Sequence, residues 1–448
     1  MSQPASLAVR PRVPLSALVA GVWLVVLGWL VVLGSDLMWV VALGDDIRRD
    51  GAVPGGIPFA SAPQAEWHNP LVVAEVLLSV VHSAGSSALA TFQVLIVATV
   101  LGLVLTEARR VGAGQARTAL VVSLLVVGAS APLVITRLPS LSLVPFALAV
   151  LLMRRAHDHP GGRGVWWLVP LYLLWGNLHG GVLVGLAVLG VFLVVSPGGG
   201  SLLDRLGVAV GCGLSLVATS AGLSTPAYYV SALGNEAAQR GSDLWARPSL
   251  SHPLDLAMLL SALVLLVLFA RSRPAVWEWL SVAGLAVGTA SAARHGVWLV
   301  AFLALVALRS RGEPCAAPRD PVQTGALVAG VVAATVAVGL RGEAAGPPGA
   351  EVVPAVEEAS AGRPVLADEP LAETLAQAGV TVWAANPIDA FPPDVQAGFL
   401  DFLHDGTVPP EADIRLVVVA DSLADDVVAA GRWRVLDRTG GYVLLTLR

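Results

Sequence analysis

Lysine is absent: all 27 basic residues are arginine. Charged residues of either sign fill 13% of the 448 positions, against a hydrophobic fraction of 56%. A chain so poor in charge cannot cover most of its surface with solvated groups, which excludes an ordinary globular protein over most of its length. Cysteine is nearly missing as well, with Cys212 in an apolar run and Cys315 in a polar loop. Neither a disulfide framework nor a cysteine-based metal site is expected. No Walker loop, dinucleotide fingerprint, HExxH motif or nucleophile elbow occurs, which removes the chemistries those motifs serve. With a net charge of −5, nucleic acid is not an expected partner.

What fills the chain instead is apolar sequence. Apolar runs lie near residues 13–34, 88–107, 117–135, 140–153, 165–177, 181–197, 206–222, 255–270, 275–291, 296–308 and 324–340, and a bilayer core of about 30 Å takes ~20 helical residues. The reading is mainly α: a polytopic transmembrane helical bundle of about 11 spans over residues 1–341, with a first outer loop at 35–87 and a small extracytoplasmic α/β domain over 342–448. The first run follows MSQPASLAVRPRVP and lacks a small-residue cleavage signature, so it reads as a retained signal anchor. Residues 70–82 (PLVVAEVLLSVVH) are too short to cross at about 1.5 Å per residue, and Glu75, Ser79 and His82 share one helical face. They read as an interfacial helix beside the membrane lipid.

Arginine placement tests that topology, because cytoplasmic loops are enriched in it. With the N-terminus inside and eleven spans, fourteen loop arginines fall on the cytoplasmic side. Six fall outside: Arg48, Arg49, Arg137, Arg240, Arg247 and Arg294. Making residues 70–82 a span would reverse every later loop. The chain therefore reads as a multi-pass protein of a bacterial plasma membrane, with its C-terminal domain outside.

Three apolar stretches, 117–153, 165–197 and 275–308, are too long for one span and turn at TRLPS (136–140), GNLHGG (176–181) and SAARHG (291–296), all on the outer side. Irregular backbone at that depth is tolerated where it lines a cavity. Asp36, Asp45, Asp46, His68, Glu75, Arg137, Asn177, His179, Glu236, Arg240, Asp243, Arg247, His252, Arg294 and His295 collect on the same side. Ionisable groups near a membrane are costly and point to function. Asp36, at the outer end of the first span, can accept a proton from an incoming hydroxyl or help hold a divalent cation, whose identity and need the sequence leaves open. Arginines there suit a phosphate, which a guanidinium grips with two hydrogen bonds. The simpler roles are a solvated helix face for Asp45 and Asp46 beside Arg48 and Arg49, and snorkelling for Arg137 and Arg294.

The arrangement D36-x-x-W39-x4-G44-x-x-I47, then G51-A-V-P54, P58-F59 and W67, then W175-G-N177-L-H179-G180-G181, A293-R-H-G296 and W383-A-A-N386-P387-I-D389-A-F391 resembles bacterial polytopic membrane proteins related to the GT-C superfamily of glycosyltransferases. The resemblance runs from about residue 30 to the end. It implies transfer of a sugar from a polyprenyl-phosphate carrier on the outer face, with the base at Asp36, or at Asp45 or Asp46; Trp39, Trp67, His68, Arg137, Asn177, His179, Arg294 and His295 are the candidate substrate contacts of this reading. Where relatives tend to show Trp-His and Pro-x-x-Asp-Pro-Phe-Ser, this chain has Val40 after Trp39, and Ile57 and Ala60 around Pro58 and Phe59.

The tail reads as strands at 363–368, 380–384, 414–420 and 433–448 with helices between them. Asp368, Asn386 and Asp389 fall at strand ends, where α/β sheets bind ligands or where such residues cap turns. Two other functions compete with glycosyl transfer: a transporter or flippase, which calls for internal repeats and charges at mid-membrane, and a non-catalytic scaffold, which fits Val40 and Ile57.

Overall fold

The computed structural model describes residues 13–232, 234, 236–240, 245–309, 321–410 and 413–448. Cys315 and Asp243 lie outside them. The helices in chain order are α1 (Leu15–Leu30), α2 (Met38–Asp50), α3 (Val72–His82), α4 (Ser86–Arg110), α5 (Gln115–Gly128), α6 (Ser130–Val134), α7 (Leu143–Asp158), α8 (Leu168–Gly176), α9 (Val182–Val195) and α10 (Leu202–Gly213). They continue with α11 (Thr225–Ala232), α12 (Glu236–Arg240), α13 (Pro253–Arg271), α14 (Val276–Ser291), α15 (Gly296–Ala307) and α16 (Pro321–Arg341). The last are α17 (Val353–Ser360), α18 (Leu371–Gln377), α19 (Pro393–Asp405) and α20 (Asp421–Ala429). Each apolar run of the sequence is helical. The stretches Ser86–Arg110, Leu138–Asp158, Pro253–Arg271 and Pro321–Arg341 are each long and apolar enough to cross a membrane alone. The chain is a polytopic helical membrane protein.

The apolar helices alternate between two ends of the bundle. At one end the last turns of α4 and α7 meet the residues after α15: Arg110 and Arg309 both pair with Asp158. Just inside, the wholly buried Arg154 lies 3.2 Å from Glu107 and 3.3 Å from Glu278, tying α4, α7 and α14 with paired charge, the form in which buried ions are tolerated. Small residues let backbones touch elsewhere. A Cβ on Gly28 of α1 would sit 2.6 Å from the Ala334 carbonyl oxygen of α16.

The other end is capped. Two short parallel strands, β1 (Val32–Leu33) and β2 (Ile135–Thr136), align the exits of α1 and α6. Helix α3 has 11 residues and packs on α2. Its polar face turns inward: Glu75 and Ser79 are buried, and Ser79 is hydrogen-bonded to Asp45 and Arg48 of α2. The face that carries Glu75 and Ser79 is thus a contact with α2.

After Arg341 the chain builds a sheet of β3 (Val365–Ala367), β4 (Leu416–Ala420), β5 (Trp433–Thr439) and β6 (Tyr442–Leu447) in the order β3-β4-β6-β5, with β3 and β4 parallel and the other pairs antiparallel. The run 380–384 forms no full strand. Val382 makes single bridges to Ala60 and Val365, and the Ser61 and Ala62 amides donate to the carbonyls of Val382 and Trp383. The first loop is thus stitched to the edge of the C-terminal sheet. A third tie comes from α12, whose Arg240 donates to Asp401 of α19 at 2.7 Å.

Candidate active site

Asp36 lies where β1 gives way to α2. The parallel register sets Leu33 beside Thr136, which brings the residues just beyond both strands together, and Arg137 Nη2 donates to Asp36 Oδ2 at 3.0 Å. A Cβ at Gly34 would lie 2.3 Å from Ile135 Cγ2 and 3.1 Å from Arg137 Cγ, so the approach requires glycine. Arg137 keeps a buried Nε–H without a partner.

Asp36 has φ of 69°, in the left-handed region that Asp tolerates better than most residues. Its own amide donates to Glu373 Oε1 at 2.9 Å, and the Leu37 amide to Glu373 Oε2 at 3.2 Å. Asn386 Nδ2 donates to the same Oε1 at 3.0 Å. Glu373 is fully buried. Burial pushes its pKa up to about 7, the Asp36 charge adding to the rise and the three hydrogen bonds opposing it. Burial likewise raises Asp389, which has the Tyr228 hydroxyl beside it and feels the Asp36 charge. Glu373 carried no mark in the sequence, where it is one acid in a helix of ordinary soluble composition.

The motif WGNLHGG builds the neighbouring wall. Trp175 Nε1 donates to Ser142 Oγ at 2.8 Å, that hydroxyl lies 3.1 Å from His179 Nδ1, and the Gly181 amide donates to the same Nδ1 at 2.9 Å. Nδ1 is therefore an acceptor, which leaves the imidazole proton on Nε2. Gly181 is required because a Cβ would come within 2.7 Å of Ser142 Oγ. Asn177 is committed to structure: Nδ2 donates to the carbonyls of Leu173 at 2.9 Å and Ala218 at 2.7 Å.

Arg294 is exposed, with its guanidinium carbon 3.6 Å from the centre of the Trp245 ring, a cation–π stack. It lies within electrostatic reach of Asp36 and Arg137, and both arginines act on His179. His295 is half-buried on the turn Ala293–His295. Asp36, Arg137, His179 and Arg294 thus gather at the capped end.

Asp45 and Asp46 are about 11 Å further along α2, paired with Arg48 and Arg49 at i,i+3 spacing. Trp39 and Trp67 are buried, each with an indole N–H lacking a partner. His68 is exposed beside Glu66 and, with Trp67, Asn69 and Ser220, lines a cavity of about 330 Å³. Val40 and Ile57 are 0% and 1% exposed, so these two departures fill apolar space. Asp368 Oδ2 accepts from the Ala420 amide at 2.8 Å, tying β3 to β4.

No family model and no curated protein matches the chain. Two solved structures of ArnT from Cupriavidus metallidurans do. One, bound to undecaprenyl phosphate, is 16% identical with a TM-score of 0.52 over 96% of this chain and 97% of that one. The other, the apo state, is 16% identical with a TM-score of 0.51 over the same shares. The chain has the polytopic helical fold of these ArnT structures.

Proposed function

We propose that this protein transfers a glycosyl group from a polyprenyl-phosphate donor to an acceptor on the outer face of a bacterial plasma membrane, with the capped end outward. The observation that carries the reading is the Asp36–Arg137 contact at 3.0 Å, an acid and a guanidinium converging at the end of a span with Arg294 in reach. The matching fold has been solved with undecaprenyl phosphate.

In the proposed reaction the acceptor nucleophile bonds to the sugar's anomeric carbon as its proton passes to the Asp36 carboxylate. The bond from that carbon to the phosphate oxygen breaks, and the electron pair leaves with the polyprenyl phosphate. The partnerless Nε–H of Arg137 and the guanidinium of Arg294 offer hydrogen bonds to the charge that develops there. His179, with its proton on Nε2, is a further donor toward substrate. No step of the proposal is routed through a divalent cation, because Asp36 is already paired with a guanidinium.

Asp36→Asn keeps the size and removes the basicity, so transfer should fall by about 10²- to 10⁴-fold. Asp45→Asn and Asp46→Asn should change it little. The readout is glycan product formed by membranes supplied with polyprenyl-phosphate sugars. Full activity in Asp36→Asn would remove the reading.

A further inference from the structure

Helix α2 begins without a local cap. The position preceding it is Leu37, whose side chain offers no acceptor, and Asp36, an acid of the type that ordinarily caps a helix, stands one residue earlier. An Asp that capped its own helix would turn its carboxylate back on the chain. Here that task falls to Glu373 of α18, from 337 positions away. Its carboxylate takes the Asp36 and Leu37 amides at 2.9 and 3.2 Å. The Asp36 carboxylate is thereby left to face Arg137.

A left-handed backbone at a residue other than glycine costs about 1 to 3 kcal/mol and persists where its surroundings hold it. Two amides just before a helix, both aimed at the wholly buried carboxyl group of Glu373, supply that hold. The carboxylate is itself oriented by Asn386 at 3.0 Å. Asn386 follows the segment that bridges to Ala60, so the hold passes through the C-terminal domain and its seam with the first loop.

We infer that Glu373 is a positioning residue for Asp36: the C-terminal domain completes the site by holding the backbone of the base in the conformation that frees its side chain. The inference rests on the reading of Asp36 as the base. Glu373 touches no substrate and acts through Asp36.

The test combines amide exchange with kinetics in the full-length protein. Glu373→Gln puts an NH₂ against one of the two backbone amides, so exchange at Asp36 and Leu37 should accelerate at least ~10-fold. Its kcat for transfer should fall ~10- to 100-fold, as expected for a misplaced reacting group, while KM for the donor stays within about threefold. The double variant Asp36→Asn/Glu373→Gln should be no slower than Asp36→Asn alone, because two residues acting as one unit are not additive. Asn386→Ala leaves Glu373 in place but unoriented, and should show the same changes to a smaller degree. It carries the test if Glu373→Gln fails to accumulate.

Faster exchange with parental kcat would make Glu373 a structural cap and overturn the inference. So would unchanged exchange, or a double variant slower than Asp36→Asn by the full Glu373→Gln factor. Full transfer by Asp36→Asn would instead overturn the proposed function, and amide exchange would still decide whether Glu373 holds this backbone.

Discussion

Arg137 reaches Asp36 across 101 positions of sequence, with Nη2 3.0 Å from Oδ2. The two are brought together by the parallel pairing of Val32–Leu33 with Ile135–Thr136, which aligns the exits of two helices that share no loop. Gly34 makes the approach possible. Gly34→Ala would drive a Cβ to 2.3 Å from Ile135 Cγ2 and 3.1 Å from Arg137 Cγ, spreading the strands and displacing the guanidinium. Transfer should drop ~10-fold or more although no functional group is removed, since small misplacements near reacting atoms are costly. Parental activity in membranes carrying equal amounts of Gly34→Ala would show that the pairing does not position the site.

The bundle was legible because its signal is long and one-dimensional. An apolar run of span length has few alternative fates, and turns such as TRLPS and GNLHGG are written in Pro, Gly and Asn. The convergence of Asp36, Arg137, His179 and Arg294 followed from placing those turns on one side. The part that sequence could not show lies in contacts between distant segments. Glu373 takes the Leu37 amide from 336 positions away, and nothing in PLAETLAQAG sets it apart from an acid on a solvated face. Ser142 joins Trp175 to His179 in the same hidden way. Asp45 and Asp46 looked equal to Asp36 by residue type, yet Arg48 and Arg49 one turn on were the local signal that they pair on a helix face.

Arg294 and Trp245 make a second prediction. The guanidinium stacks 3.6 Å above the ring, which fixes its plane and leaves its edges for a phosphate. Arg294→Lys keeps the charge but loses the two-pronged geometry, so KM for the polyprenyl-phosphate donor should rise about tenfold with a smaller change in kcat. Trp245→Ala should weaken donor binding less, by about fivefold, through loss of a stack worth ~1 kcal/mol. Initial rates against donor concentration measure both. A kcat effect in Arg294→Lys without a KM effect would assign the residue to the chemical step.

Orientation is checked by labelling. Ser83 follows α3 and Ser422 lies in α20, and neither is buried. Single cysteines placed at either site should react with an impermeant thiol reagent in intact cells, because we propose from the arginine distribution that the capped end faces outward. Protection of both sites until the membrane is broken would invert the protein and place the proposed chemistry in the cytoplasm.

The last prediction concerns pH. Burial pushes Glu373 from 4.5 to about 7 and Asp368 from 3.8 to about 6, so between about pH 4 and 7 the unfolded chain has released protons that the folded domain retains. A group protonated more in the folded state loses stability as pH rises. As far as these two carboxyls decide it, the C-terminal domain should be most stable near pH 4, weaken through pH 7 and level off above it. A tenfold difference in a proton's affinity between folded and unfolded chain corresponds to about 1.4 kcal/mol. Asp368→Asn removes one titration and keeps an acceptor for the Ala420 amide, whose bond to Asp368 is 2.8 Å, so it should flatten the lower half of the slope. Amide exchange of β3 and β4 in the full-length protein, followed across that range, reads the effect directly. Protection that grows from pH 5 to 7 would mean that these carboxylates are ionised and well paired in the folded domain, and Glu373 would then hold Asp36 with full charge at acid pH as well.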